Sequence, residues 1–185
     1  MIVTRSHGVN VFVFVVAHVI EREATNYKPI LKSLPTTSFS ASSSLNSSTL
    51  PHFSRSSVET DGGWFAAAND LQPWIQVDFG RPRMIIAILL FAPKHSPNTF
   101  VKTYAVLGGI QHDYLAYLIQ YDVLITGRSS RVLEFRKIHL IRYIRINAAR
   151  WENHAALSWE IDEASSKFVV CHICLYCICT TKINS

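Results

Sequence analysis

The chain has 185 residues, nearly half of them apolar and 11% aromatic, enough for one packed domain with ragged ends. That composition excludes disorder along the whole length. A formal charge of +5 suits an anionic partner such as lipid headgroups, sulfated glycans or nucleic acid. The basic residues from Lys94 to Arg150 are separated or at most paired, however, which reads as a solvated surface, and no nucleic-acid partner is expected.

Along the chain, Arg5 followed by an apolar run from Val11 to Ile20, broken by His18, sketches a secretory signal with Ala17 and Ala24 as poor cleavage positions. The run is too short to span a bilayer, and its Val, Phe and Ile suit a buried strand equally well. Residues 33 to 57 are dense in Ser and Thr with two prolines, a loop or linker composition. Within them Asn46-Ser47-Ser48 is an N-glycosylation acceptor pattern.

From Trp64 the character changes. Ile75, Val77 and Phe79 alternate with Gln76 and Asp78, the period of a strand, which Gly80 and Pro82 end. Met84 to Phe91 is a continuous apolar run between Pro82 and Pro93, short for a helix and suited to a strand covered on both faces. Further strands are expected over Phe100–Leu107, Tyr117–Thr126, Arg131–Phe135, Ile138–Asn147 and Ala156–Ile161. Short strands at turn-punctuated intervals, with no capped amphipathic helix, indicate an all-β sandwich or barrel.

All four cysteines fall in the tail, at Cys171, Cys174, Cys177 and Cys179, so no disulfide can join the body to itself or to the tail. With His172 they are zinc-type ligands, but they crowd into nine residues where zinc folds separate two ligand pairs by a loop, and no metal is assigned. The expected organisation is an N-terminal segment over 1–32, a sandwich over 33–165 and an apolar tail over 166–185. Catalysis finds no support. There is no His-Glu-x-x-His array, no Gly-x-Ser-x-Gly elbow and no phosphate-cradling glycine loop, and Glu59, Asp61 and Asp70 do not form a recognisable acid–base pair.

Three blocks carry a resemblance. They are SASSSLNSS (Ser40–Ser48), GGWFAAANDLQPWIQVDFGRPR (Gly62–Arg83) and IRYIRINAARWENHAALSWEI (Ile141–Ile161). Together they resemble the discoidin domain, also called the coagulation factor V/VIII type C domain, over about Phe39 to Asp162. The resemblance implies a jelly-roll β-sandwich of the galactose-binding-like class. It implies a core containing Trp74, Val77, Asp78, Arg142, Ile144 and Trp151, with Asp78 pairing to Arg145 or Arg142 across the sheet. It also implies a non-catalytic module, secreted or at the cell surface, that takes part in adhesion by binding carbohydrate or anionic phospholipid, with other extracellular proteins as further partners.

The ligand loops implied are Leu45–Ser57, with Leu50, Pro51, His52, Phe53 and Arg55, and Ala92–Asn98, with Lys94 and His95. An apolar tip beside a cation suits an anionic membrane surface. No cofactor is expected, although some relatives hold structural calcium, for which Asp61 or Asp70 is the candidate ligand. The family's closing disulfide is missing here, since Phe65 and Ala164 stand where its cysteines fall. Two other classes remain open: an accessory module of a larger receptor or glycoside-processing enzyme, and an intracellular interaction domain of the same fold.

Overall fold

The computed structural model describes residues 2–6, 9–16, 27–55, 62–123, 130–164 and 174–177. Their strands are β1 (Ile2–Ser6), β2 (Val9–Val16), β3 (Tyr27–Pro29), β4 (Phe39–Ala41), β5 (Trp64–Phe65) and β6 (Trp74–Phe91). Then come β7 (Phe100–Gln111), β8 (Tyr114–Val123), β9 (Arg131–Glu152), β10 (Ala156–Ala164) and β11 (Cys174–Cys177). Two compact units result: Thr25–Ser165, and Met1–Ala24 together with Ser166–Ser185. The smaller unit is an antiparallel sheet in the order β1-β2-β11, with Ile2 opposite Val13 and Cys174 opposite Val16. Val9–Val16 is thus a strand, while Ala17 and Ala24 lie outside the described residues.

The larger unit is all-β, with the path β3-β10-β6-β9-β7-β8 and with β4 added to β6 and β5 to β10. Two of its strands are long because each serves both layers. The first half of β6 pairs with β4 and with the last part of β9, through Ile75–Ile146 and Val77–Ile144. Its second half pairs with β10, through Ile88–Ile161, and with the first part of β9, through Ile88–Leu133. The change of partner falls between Asp78 and Arg83. There Gly80 takes a left-handed φ of 72°, which glycine adopts without a Cβ clash, and its N–H donates to Asp78 Oδ1 at 2.7 Å.

Burial follows from this placement. Ile75, Val77 and Phe79 point into the core on one period, whereas Ile85 to Ile88 are buried in succession, as expected where both faces are covered. The two strand segments expected over Arg131–Phe135 and Ile138–Asn147 are one strand with an irregularity opposite Ile85–Ala87. Both segments expected in the divergent middle are strands, β7 next to β9 and β8 beyond it, although 124–126 lie outside the described residues.

The sandwich starts earlier than residue 33. Ile30 and Leu31 are fully buried, and β3 pairs with the end of β10 through Tyr27–Ala164 and Pro29–Asp162. Glu160 secures this start: its Oε1 accepts the N–H of Leu31 at 2.9 Å and of Ile161 at 3.0 Å. Where the resemblance implies a closing disulfide, the sandwich joins its first and last strands through a backbone ladder and the buried Glu160 side chain.

Of the expected core residues, Val77 and Ile144 are fully buried. Asp78 and Arg142 form a half-exposed ion pair, and Arg145 instead donates to Gln76 Oε1 at 2.9 Å. Trp151 is partly buried and packs against the core, whereas Trp74 is a correction, because it is partly buried and stands outside the core cluster. Trp74 opens β6 on the outer face of the sheet, where the Arg145 guanidinium lies 4.2 Å from its ring centroid. The fully buried tryptophans are Trp64 and Trp159. Their indole N–H groups donate to Ser43 O at 2.8 Å and to Ser54 Oγ at 2.9 Å, so neither buries an unpaired donor.

Candidate functional site

Because β6 turns back on itself at Gly80, the segments before Trp74 and after Phe91 emerge at the same end of the sandwich. Hydrogen bonds knit them to their neighbours there. Trp74 N donates to Ser42 Oγ at 2.9 Å, and Ala148 N to Pro73 O at 2.9 Å. Leu45 N donates to Phe65 O at 2.8 Å, and Ala66 N to Ala155 O at 2.9 Å. Asn153 Nδ2 reaches Asn98 O at 2.9 Å. Gly63 lies so close to Pro93 that a Cβ would stand 2.7 Å from its Cγ, which ties the segment before β5 to the one after β6.

A cleft of about 60 Å³ opens among these segments. Its apolar lining is Ala66, Ala67, Ala68 and Ala155, and its polar lining is Asp70, Asn153 and His154, with Trp151 supplying an aromatic side. The volume holds one or two waters or a single substituent of a larger ligand, so a bound molecule sits mainly on the rim. Asn153 shapes that rim. It has φ of 57°, a conformation that Asn tolerates better than most residues, and it turns the chain from β9 toward β10. The turn is closed by His154 N donating to Glu152 O at 2.7 Å.

Asp70 is fixed from below. Its Oδ2 accepts the hydroxyls of Ser42 at 2.5 Å and Ser43 at 2.6 Å, and its Oδ1 accepts Gln72 N at 3.0 Å. Burial alone raises its pKa, but these three donors outweigh that effect and hold the carboxyl below its usual range. The cleft therefore offers a fixed anionic acceptor, an imidazole, a carboxamide and an aromatic ring around small apolar residues. Hydroxyl-rich ligands with one apolar face match that set. No group of three or more His, Cys, Asp or Glu side chains placed to hold a metal occurs among the described residues. Asp61 lies outside the described residues.

The residues expected at the loop tips are placed as follows. Leu50 is exposed, and His52 and Phe53 are half-buried with ring centroids 4.2 Å apart. Burial, and then the charge of Arg55, lowers the His52 pKa. Arg55 is turned into the fold rather than presented at a tip. Its Nε donates to His52 O at 2.9 Å, its Nη1 to Leu34 O at 2.9 Å, and its guanidinium stands 5.1 Å from the Phe39 ring. Ser56 and Ser57, the end of that loop, lie outside the described residues. Lys94 and His95 are exposed on the segment whose Asn98 is bonded to Asn153, beside the cleft but not lining it. Sequence reasoning missed the cleft itself. Asn69-Asp70 reads as a turn and Trp151 as core, and nothing local joins residues 66–70 to 151–155.

Comparison with known proteins bears on this geometry. The sequence model of the F5/8 type C domain family matches residues 38–161. Wild-type discoidin II from Dictyostelium discoideum superposes with a TM-score of 0.65 at 16% identity, over 77% of this chain and 60% of that one. The chain thus spans three-fifths of discoidin II. The family 32 CBM of Clostridium perfringens NanJ, in complex with galactose, gives 0.62 at 14% identity, over 75% of this chain and all of the module. Another CBM32 module from Clostridium perfringens, in complex with GalNAc-β-1,3-galactose, gives 0.59 at 14% identity, over 69% and 97%.

Proposed function

The chain belongs to the F5/8 type C, or discoidin, domain family, and on that premise we propose that it is a non-catalytic carbohydrate-binding module working outside the cell in adhesion. One observation carries the reading: Trp151, His154, Asn153 and Asp70 meet around an alanine-lined cleft at the end of the sandwich where the loops converge. Sugars present axial and equatorial hydroxyls around an apolar ring face. A pocket that offers an aromatic side and fixed polar groups satisfies both without catalytic chemistry. The galactose complex of the NanJ module supports the choice of ligand class, since it has the same fold.

The full chain should bind galactose- or N-acetylgalactosamine-terminated glycans on an array and in calorimetric titration. His154→Ala should weaken that binding at unchanged melting temperature, and Trp151→Phe should weaken it while the chain stays folded. A folded wild type that binds no glycan on the array overturns the reading.

Anionic phospholipid is the alternative ligand. Exposed Leu50 favours it, and the inward-turned Arg55 counts against it. Binding to phosphatidylserine vesicles without glycan binding would select it. The span of three-fifths of discoidin II also suits an accessory module of a larger protein, in which case adhesion belongs to the whole assembly.

A further inference from the structure

We propose that Asn46 carries an N-linked oligosaccharide on the exposed turn bonded to β5. The proposal goes beyond the glycan-binding reading and shares with it only the requirement that the chain enters the secretory route. Asn46-Ser47-Ser48 is the single Asn-x-Ser/Thr triplet in the sequence, so one acceptor is available.

The triplet is exposed at all three residues and lies on a turn that presents it. Ser48 N donates to Asn46 Oδ1 at 2.8 Å, an Asx turn that holds the carboxamide oxygen against the backbone. Thr49 closes the turn, with its N–H donating to Asn46 O at 3.2 Å and its Oγ1 accepting Asn46 N at 3.0 Å. Nδ2, the atom to be glycosylated, has no protein acceptor among the described residues. The Ser48 hydroxyl has no protein partner there either, so it is free for the role the acceptor triplet requires of it. A sugar attached at this position projects into solvent and displaces no packed group, so the modified chain keeps its fold.

In the transfer, the anomeric C1–O bond of a lipid-diphosphate-linked oligosaccharide breaks and a C1–Nδ2 bond forms. The lipid diphosphate departs, and the carboxamide gives up one proton. The location has a consequence. Leu45 N donates to Phe65 O at 2.8 Å and Phe65 N to Thr49 O at 3.4 Å, so the turn brackets the residue next to Ala66 in the cleft lining. The attached oligosaccharide is therefore carried by a turn bonded to the strand that leads into the cleft lining.

The test uses the full chain in secreting eukaryotic cells, once with its own N-terminus and once behind an added cleavable signal, each beside Ser48→Ala. That substitution leaves the turn intact, because the Asx turn uses the backbone N–H of Ser48. The translocated chain should migrate as a slower band that collapses on amidase treatment and leaves aspartate at position 46 by mass spectrometry. Ser48→Ala should give only the fast band, with the melting temperature of the amidase-treated chain. A signal-led chain that is protease-protected, folded and still unmodified overturns the proposal, as does a slow band that survives in Ser48→Ala. Modification of the signal-led form alone upholds the site and shows that residues 1–32 do not by themselves direct translocation.

Discussion

Arg142 grips Asp78 from the neighbouring strand, with Nε 2.8 Å from Oδ1 and Nη2 2.9 Å from Oδ2. The two parallel bonds sit beside the bend at Gly80, whose N–H also donates to Asp78 Oδ1. The pair joins β9 to β6 where β6 changes layer, and the geometry is the bidentate kind in which a carboxylate and a guanidinium fit best.

The pH dependence of this pair has a definite sign. Hydrogen bonds from Arg142 act against burial, and with the Gly80 N–H they hold the Asp78 carboxyl below its usual range. A depressed folded pKa contributes stability above the unfolded value, near 4, that is lost as pH falls through the folded one. Asp78→Asn keeps an oxygen for Gly80 and removes the charge. At about a third exposed the pair is screened by solvent, so its contribution is small. The variant should therefore melt slightly lower than wild type at pH 7, and the two curves should converge as acid protonates Asp78 in the folded state. Parallel melting curves across that range would show that the pair contributes nothing.

Glu160 behaves in the opposite way. Burial raises its pKa more than the N–H groups of Ile161 and Leu31 lower it, and Asp162 adds to the rise. The folded state therefore holds its proton longer than the unfolded one, and stability falls as pH rises from about 4.3 toward the folded value. Glu160→Gln retains an acceptor for Leu31 and Ile161 without the charge. Its stability relative to wild type should improve as pH rises above about 4.3 and level off once Glu160 ionises in the folded state, read from denaturant titrations. Glu160→Ala leaves both N–H groups without their acceptor and should lose about 1–3 kcal/mol for each one left unsatisfied.

The segment that Glu160 holds is part of the core. Leu31 is fully buried, and truncation of such a side chain removes transfer free energy and opens a cavity. Leu31→Ala in the full chain should cost about 2–5 kcal/mol, read from urea midpoints at unchanged slope. A loss below about 1 kcal/mol would mean that the fold begins after residue 31.

That boundary marks where sequence reading ends. The alternation of Ile75, Val77 and Phe79 and the run Ile85–Ile88 declare their strands locally, because burial on one or both faces is written in the spacing of apolar residues. Leu31 is different, since its place depends on Glu160, 129 residues away. The same holds for the tryptophans. Trp64 and Trp74 both precede apolar residues, and only the chain around them buries one and leaves the other half-covered on the sheet face. Arg55 reads as a surface cation because its decisive acceptor, Leu34 O, belongs to another segment. The cleft unites residues about eighty positions apart, and the turn at Asp70 carries no mark of what stands opposite.

Asn153 tests whether that juxtaposition matters for binding. Its left-handed φ of 57° strains alanine by about 1–2 kcal/mol but is open to glycine. Its side chain does separate work, bonding Asn98 O and so fixing the segment that carries Lys94 and His95. Asn153→Gly should keep wild-type stability within about 1 kcal/mol, since the backbone conformation is preserved. It should nonetheless bind glycan about five- to tenfold more weakly, the equivalent of one hydrogen bond lost from a positioned rim. Asn153→Ala should lose both stability and affinity. If Asn153→Gly binds like wild type in calorimetric titration, the bond to Asn98 does not position the site, and recognition rests on Trp151, His154 and Asp70 alone.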